Sequence, residues 1–249
     1  MDLVTVAILT KNEERHMVDV VRNAKKLTNS VLIVDCGSTD KTVELAEQEG
    51  ASVVFRAWDN DFSAQRNFAL EHISTKYVLY LDADERMDDE LIADIKKQLD
   101  NDTLAKYTFI EEACAFGYHF KHGMYGPARK LRLFPREHIK WVNKVHEHPV
   151  CDVPQKNLKG KVLHYTYINY QHWFNKMNLY TTIWAEDNYD KGKRISSLSP
   201  FLHSFFAFFR SYFFQLGFLD GWAGLYSSIQ YGIYTLLKYL KLLEIQKNN

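Results

Sequence analysis

A chain of 249 residues with 31 Lys+Arg against 31 Asp+Glu has no formal net charge, so its overall balance gives no attraction to nucleic acid. Its length suffices to bury a sizeable core in one α/β domain with an appendage. Three widely spaced cysteines, Cys36, Cys114 and Cys151, argue against a disulfide framework or a zinc ribbon and fit reduced thiols in a cytoplasm.

The first residues carry neither a basic region nor a cleavable apolar core, so no secretory signal is expected. No convincing uncharged apolar run reaches about 18 residues, which argues against a clean transmembrane helix. Residues 3–9 are a β-branched apolar run, a first strand, ended by the polar turn Thr10-Lys11-Asn12-Glu13-Glu14 and followed by a helix through about Lys26. Residues 31–34 form a second strand, closed by Asp35-Cys36-Gly37-Ser38-Thr39-Asp40. Gly37 permits a tight turn and close backbone approach to a ligand. Ser38, Thr39 or Asp40 caps the helix that runs to Gln48, and Gly50 ends it. A third strand is expected at 51–56, a helix with Gln65-Arg66-Asn67 at 61–73, and a fourth strand at 76–81.

That fourth strand stops at Asp82-Ala83-Asp84. Residues i and i+2 of an extended chain point the same way, so the two carboxylates are placed to converge on one object beyond the strand end. Hard oxygen ligands there suit Mg²⁺ or Mn²⁺, and such an ion would hold a substrate diphosphate. The plainer alternative is an acidic helix cap, since Asp88, Asp89 and Glu90 open the next helix. The alternation of strand and helix implies right-handed βαβ units and a parallel sheet. The clusters at 10–13, 35–40 and 82–84 then lie along one sheet edge, where α/β sheets bind nucleotides. The Gly-x-Gly-x-x-Gly fingerprint is absent, which disfavours an NAD-type site.

Between Lys121 and Lys144 seven Lys/Arg face Glu137 alone, interleaved with Tyr125, Phe134 and Trp141. A solvated face and a phosphate-contacting surface both fit such a run. Val145-His146-Glu147-His148 sets a carboxylate among imidazoles, residues 159–165 read as a strand with His164 near its end, and 167–189 as an aromatic helix. The segment 201–243 crowds aromatic residues, broken by Arg210 and Asp220. It suits lying in a membrane interface, or packing on the catalytic domain or a second subunit.

Taken in order, Thr10-Lys11-Asn12-Glu13-Glu14, Val34-Asp35-Cys36-Gly37-Ser38-Thr39-Asp40, Gln65-Arg66-Asn67 and Leu81-Asp82-Ala83-Asp84-Glu85-Arg86 resemble the successive motifs of family 2 glycosyltransferases. The resemblance implies the GT-A fold, a Rossmann-like α/β architecture whose mainly parallel sheet is flanked by helices, and transfer with inversion at the anomeric centre. Arg132-Leu133-Phe134, Val145-His146-Glu147, Gly217-Phe218-Leu219-Asp220-Gly221 and Lys238-Tyr239-Leu240-Lys241-Leu242 are similar to the subfamily that adds glucose to the lipopolysaccharide inner core. Cys36 stands where that subfamily usually has serine. Ala128 stands where many members have an acidic residue, and it has no group able to act as acid, base or ligand.

On this resemblance Thr10, Asn12, Glu13, Asp35, Gly37, Ser38 and Arg66 line the nucleotide-sugar pocket, with Asp82 on the ribose side. Asp84 is the ligand of Mg²⁺ or Mn²⁺. Arg129, Arg132 and His146 contact phosphate or acceptor, His146 being open also to a metal role. Glu147 falls at the position of the base that takes the acceptor proton. UDP-glucose is the implied donor and a glycan or glycolipid of the lipopolysaccharide inner core the implied acceptor, with no nucleic acid as partner. Residues 1–166 would be the catalytic domain, its nucleotide-sugar half about 1–100 and its acceptor half about 101–166. Residues 167–249 would be a helical, membrane-associating appendage, peripheral on the cytoplasmic face of the inner membrane and compatible with a homo-oligomer. A sugar nucleotidyltransferase is a rival, but the turn after the first strand lacks that class's Gly-rich loop; a non-catalytic sugar-nucleotide sensor would have no use for a base.

Overall fold

The computed structural model describes residues 2–59, 61–101, 103–143 and 147–248. The chain forms two compact units, one of residues 1–111 with 129–164 and one of 112–128 with 165–249. The sequence reading drew one boundary, after residue 166; the excursion of 112–128 into the second unit has no signature in composition.

The first unit opens as expected with β1 (Val4–Thr10), α1 (Glu14–Lys25), β2 (Val31–Asp35), α2 (Thr42–Gln48), β3 (Ser52–Phe55), α3 (Phe62–Glu71) and β4 (Tyr77–Asp82). These strands pair in parallel, in the order β3-β2-β1-β4. β1 and β2 are apolar along almost their whole length because both faces are covered. Val6, Ile8, Ile33 and Leu79 pack with Met17, Val20 and Val21 of α1 on one side, while Ala7, Val34, Val78 and Tyr80 face Ala69 of α3 on the other.

After Asp84 the chain turns at once into β5 (Glu85–Met87), and α4 (Asp89–Asp100) is capped by Asp88, whose side chain accepts from Leu91 N. The sequence reading gave no strand between α4 and residue 159. The structure has β6 (Lys106–Ala115), β7 (Tyr118–His119), β8 (Ala128–Pro135), β9 (Lys140–Val142), β10 (His148–Val150) and β11 (Gln155–Tyr167). β8 lies antiparallel against β4, and the sheet continues through β6 and β11 to β5, with β11 and β5 antiparallel. The sheet as a whole is thus mixed, parallel from β3 to β4 and antiparallel where β8 joins β4 and β5 joins β11. Parallel pairing requires a crossover connection of a dozen or more residues, so β6 and β7, separated by two residues, can pair only antiparallel.

In the second unit α5 (Tyr170–Asp190) is capped by Asn169 and begins three residues later than expected, because Tyr167 still belongs to β11. α6 (Ser199–Phe209) runs into a π-helical turn at Arg210–Phe214 and a 3-10 turn at Gly217–Asp220, after which α7 (Gly221–Asn248) returns alongside it. The break falls where Arg210 and Asp220 interrupt the apolar run. Asp220 is buried and accepts from the backbone N–H of Lys121 and His122 and from the His122 ring. No helix among the described residues is long and apolar enough to cross a membrane.

Candidate active site

The loops after β1 and β2 are built on each other. Asp35, buried at the end of β2, accepts from Gly37 N and Ser38 N at 2.8 and 2.9 Å and from the hydroxyls of Ser38 and Thr10. Gly37 sits at φ +96°, so a side chain there would be strained. Asn12, at φ 56°, returns the link: its N–H donates to Ser38 Oγ and its Oδ1 accepts from Thr39 N, both at 2.8 Å. Glu13 N donates to Thr42 Oγ1 at 2.7 Å. Six expected pocket residues therefore share one hydrogen-bonded double loop at the carboxyl ends of β1 and β2. Asp35 organises that loop, and its oxygens are already engaged by loop donors.

The three residues of Gln65-Arg66-Asn67 on α3 face different tasks. The Gln65 amide donates to Arg56 O and Ala57 O beyond β3. Asn67 makes a reciprocal pair with the backbone of Trp141 on β9, each bond 2.9 Å. Between these two clamps Arg66 is buried, its guanidinium carbon 4.6 Å from the Trp141 ring centroid and 5.3 Å from that of Tyr80. Such stacking contributes about 2 kcal/mol where water is excluded. One terminal nitrogen lies 4.0 Å from Asp82 and 3.7 Å from Glu147, while Nε and Nη1 have no hydrogen-bond partner among the described residues. Burial lowers the Arg66 pKa, and the carboxylates of Asp82 and Glu147 oppose that.

Asp82 and Asp84 engage different partners rather than a common one. Asp82, the last residue of β4, takes two bonds from Arg132 on β8 at 3.0 and 3.3 Å. Burial alone would raise its pKa; Arg132 and Arg66 outweigh that and bring it to about 2. Arg132, expected as a phosphate or acceptor contact, is placed by the β4–β8 pairing beside Asp82 and, at 3.6 Å, Glu85. Glu85 is buried, accepts from Asp82 N at 2.8 Å, and is pushed up to about 8 first by burial and then by the charge of Asp82.

A raised carboxyl pKa has a direct consequence for stability. Its contribution is full below the unfolded value, about 4.3, and is lost as pH rises through the folded value. Glu85→Gln stays neutral throughout and retains an oxygen for Asp82 N. The melting temperature of Glu85→Gln relative to wild type is expected to climb between about pH 5 and pH 9. A difference that stays flat over that range would show that Glu85 is ionised in the native state.

Asp84 lies 3.3 Å from His164 Nε2, and Glu111 on β6 lies 3.4 Å from His164 Nδ1. The register of β11 on β5, with His164 opposite Glu85, sets this placement. Burial would lower the imidazole pKa, but the bonds to Asp84 and Glu111 push it up to about 10. Glu85, Glu111 and His164 can each offer an atom within 4.8 Å of the others. His164 and Glu85 had no site role in the sequence reading. The available signal for His164 was its position near the end of a predicted strand.

Glu147 is half-buried and meets Arg66, so the expected base belongs to the Asp82 cluster. Arg129 is exposed. His146 lies outside the described residues.

The family described as Glycosyl transferase family 2 matches residues 5–151. An uncharacterized glycosyltransferase of Rickettsia typhi is 26% identical over 258 residues, covering 98% of this chain and 88% of that protein. The lipopolysaccharide core biosynthesis glycosyltransferase LpsC of Rhizobium meliloti is 26% identical over 244 residues, covering 94% and 90%. Among solved structures, S. aureus TarS aligns with TM-score 0.48 and 13% identity over 86% of this chain and 45% of its own. Glucosyl-3-phosphoglycerate synthase from Mycobacterium tuberculosis, solved with Mn²⁺, UDP-glucose and phosphoglyceric acid, aligns with TM-score 0.37 and 19% identity over 47% of this chain and 45% of its own. This chain thus spans less than half of either solved chain.

Proposed function

The chain belongs to glycosyl transferase family 2, and on that footing we propose that it transfers glucose from UDP-glucose, with inversion, onto a glycan acceptor of the lipopolysaccharide inner-core type, working peripherally at the cytoplasmic face of an inner membrane. The observation that carries the reading is Arg66, a buried guanidinium with two nitrogens that have no hydrogen-bond partner among the described residues, beside the Asp82 and Glu147 carboxylates. A buried unpaired donor is costly, and diphosphate oxygens are its natural acceptors. The name borne by LpsC supports the acceptor class.

In this reading the double loop of Thr10, Asn12, Glu13, Asp35, Gly37 and Ser38 receives the nucleoside, and Asp82, held by Arg132, stands on the ribose side. Arg66 draws charge from the diphosphate, with Arg129 available at the surface for acceptor phosphate. Glu147 takes the acceptor hydroxyl proton. Asp84 Oδ2 and His164 Nε2 are hard-to-borderline donors that fit Mn²⁺ or Mg²⁺, and Glu111, accepting from Nδ1, would fix the imidazole with Nε2 toward Asp84. When bound, the cation offsets charge on the leaving diphosphate.

Incubation with radiolabelled UDP-glucose and truncated inner-core lipopolysaccharide is expected to label the glycan and release UDP. Pyrophosphate released from UTP and glucose 1-phosphate would mark a nucleotidyltransferase instead, and donor binding without turnover a sensor.

A further inference from the structure

We infer that the α6–α7 hairpin of the second unit is an interfacial membrane anchor that sinks its outer face into one lipid leaflet. Its residues are distributed inside out. Toward the tip of the hairpin the seam between the two helices is made of small and hydroxyl side chains: Ser204 Oγ donates to Gly232 O at 2.9 Å, and the buried Ser211 and Ser228 hydroxyls meet at 2.9 Å. Gly224 approaches Gly217 so closely that a Cβ would lie 1.7 Å from the carbonyl oxygen. The large apolar side chains point the other way. Phe205 of α6 is 65% exposed, and Phe214 and Trp222, flanking the tip, are each 75% exposed.

In water this arrangement forgoes the burial that normally drives helix pairing. In lipid it is the expected one, because helices there associate through small residues and present apolar surface outward. A contiguous exposed apolar face of this kind marks a partner surface, and charge identifies the partner. From 195 to 237 the only Asp, Glu, Lys or Arg residues are Arg210 and the buried Asp220. Cations gather instead at the open end of the hairpin, where Lys193 and Lys238 lie 4.9 and 4.7 Å from the Trp184 ring centroid. An apolar body bordered by a Lys and aromatic belt matches the polarity gradient from acyl chains to anionic headgroups. Arg210, exposed along the hairpin, has a long enough stem to bring its guanidinium to a phosphate. α6 and the π-helical turn that continues it span 199–214, at most about 24 Å of helix, against a hydrocarbon core of about 30 Å. The hairpin therefore lies in the interface rather than crossing it.

This inference deepens the peripheral location proposed above and is independent of the transfer chemistry. The full chain is mixed with vesicles of phosphatidylethanolamine and phosphatidylglycerol, and binding is read by flotation. Wild type is expected to float, and the double variant Phe214→Ser/Trp222→Ser to bind roughly a hundredfold more weakly, about tenfold per lost aromatic ring. Both residues are three-quarters exposed, so the variant should keep its melting temperature and its UDP-induced thermal shift. Vesicles with brominated acyl chains should quench wild-type tryptophan fluorescence, and Trp222→Phe should float yet lose most of that quenching. Wild type remaining unbound overturns the anchor, as does quenching that persists in Trp222→Phe. A lipid-free dimer that the double variant converts to monomer would likewise overturn it, assigning the face to a second copy of the chain. Loss of transfer activity with intact flotation would leave the anchor standing and reject only the catalytic reading.

Discussion

Glu147→Gln is expected to bind UDP-glucose almost as wild type does and to turn over about 10²–10⁴-fold more slowly, the usual loss when a general base is removed. The amide keeps the shape and most hydrogen bonding of the carboxylate but cannot accept the acceptor's proton. The rival role is visible in the structure: Glu147 Oε1 is 3.7 Å from the Arg66 guanidinium, so the carboxylate could simply be that cation's companion. The two roles separate kinetically. Loss of a companion to Arg66 would alter the donor site and raise KM, whereas loss of a base lowers kcat at nearly constant KM. Turnover within a few-fold of wild type would falsify the assignment. Glu111 would then be the carboxylate to substitute next, because it lies on β6 within 3.4 Å of His164 and 3.7 Å of Lys130. Ala128, with only a methyl side chain, offers no group that could act as a base.

The parallel half was legible because its strands are short apolar runs closed by polar turns that carry candidate site residues. Asp35 and Asn12 could be picked out from such turns. Their function in the loop could not, since the bonds from Asn12 to Ser38 and Thr39 depend on β1 and β2 being neighbours. The mixed half was illegible for a physical reason. β6 carries Glu111 and Glu112 at its centre and β8 carries Arg129, Lys130 and Arg132, so neither shows a clean apolar alternation. Those charges are tolerated there because they pair across the sheet, Lys130 with Glu111 and Arg132 with Asp82. Sequence patterning reads burial, and a half-buried ion pair between residues 82 and 132 is invisible to it until the pairing of β4 with β8 is known. His164 escaped for the same reason: its meaning rests on the register that sets it opposite Glu85, next to Asp84. In the tail the aromatic crowding was plain in the sequence. Which side of each helix it occupied was not, because the apolar residues outnumber the seam that buries Ser211, Gly224 and Ser228.

Asp84→Asn is expected to abolish transfer and to weaken Mn²⁺ binding, measured directly as free Mn²⁺ by electron paramagnetic resonance, in the presence of UDP. A neutral amide oxygen is a poorer ligand for a hard cation than a carboxylate. The competing role is structural, an ion pair with His164 at 3.3 Å. In that case the variant would lose some stability yet bind Mn²⁺ as well as wild type. Glu111→Gln makes the second test. If Glu111 orients the imidazole, its loss should reduce Mn²⁺ affinity about 10–100-fold, the usual cost of removing a carboxylate that positions a ligating histidine. Binding should also strengthen with rising pH in wild type, because the cation must displace the proton from an imidazole that Asp84 and Glu111 hold at about 10. Unchanged Mn²⁺ binding in both variants, together with full activity of wild type in chelator, would remove Asp84, His164 and Glu111 from the metal site and leave them as an ion network joining β5, β6 and β11.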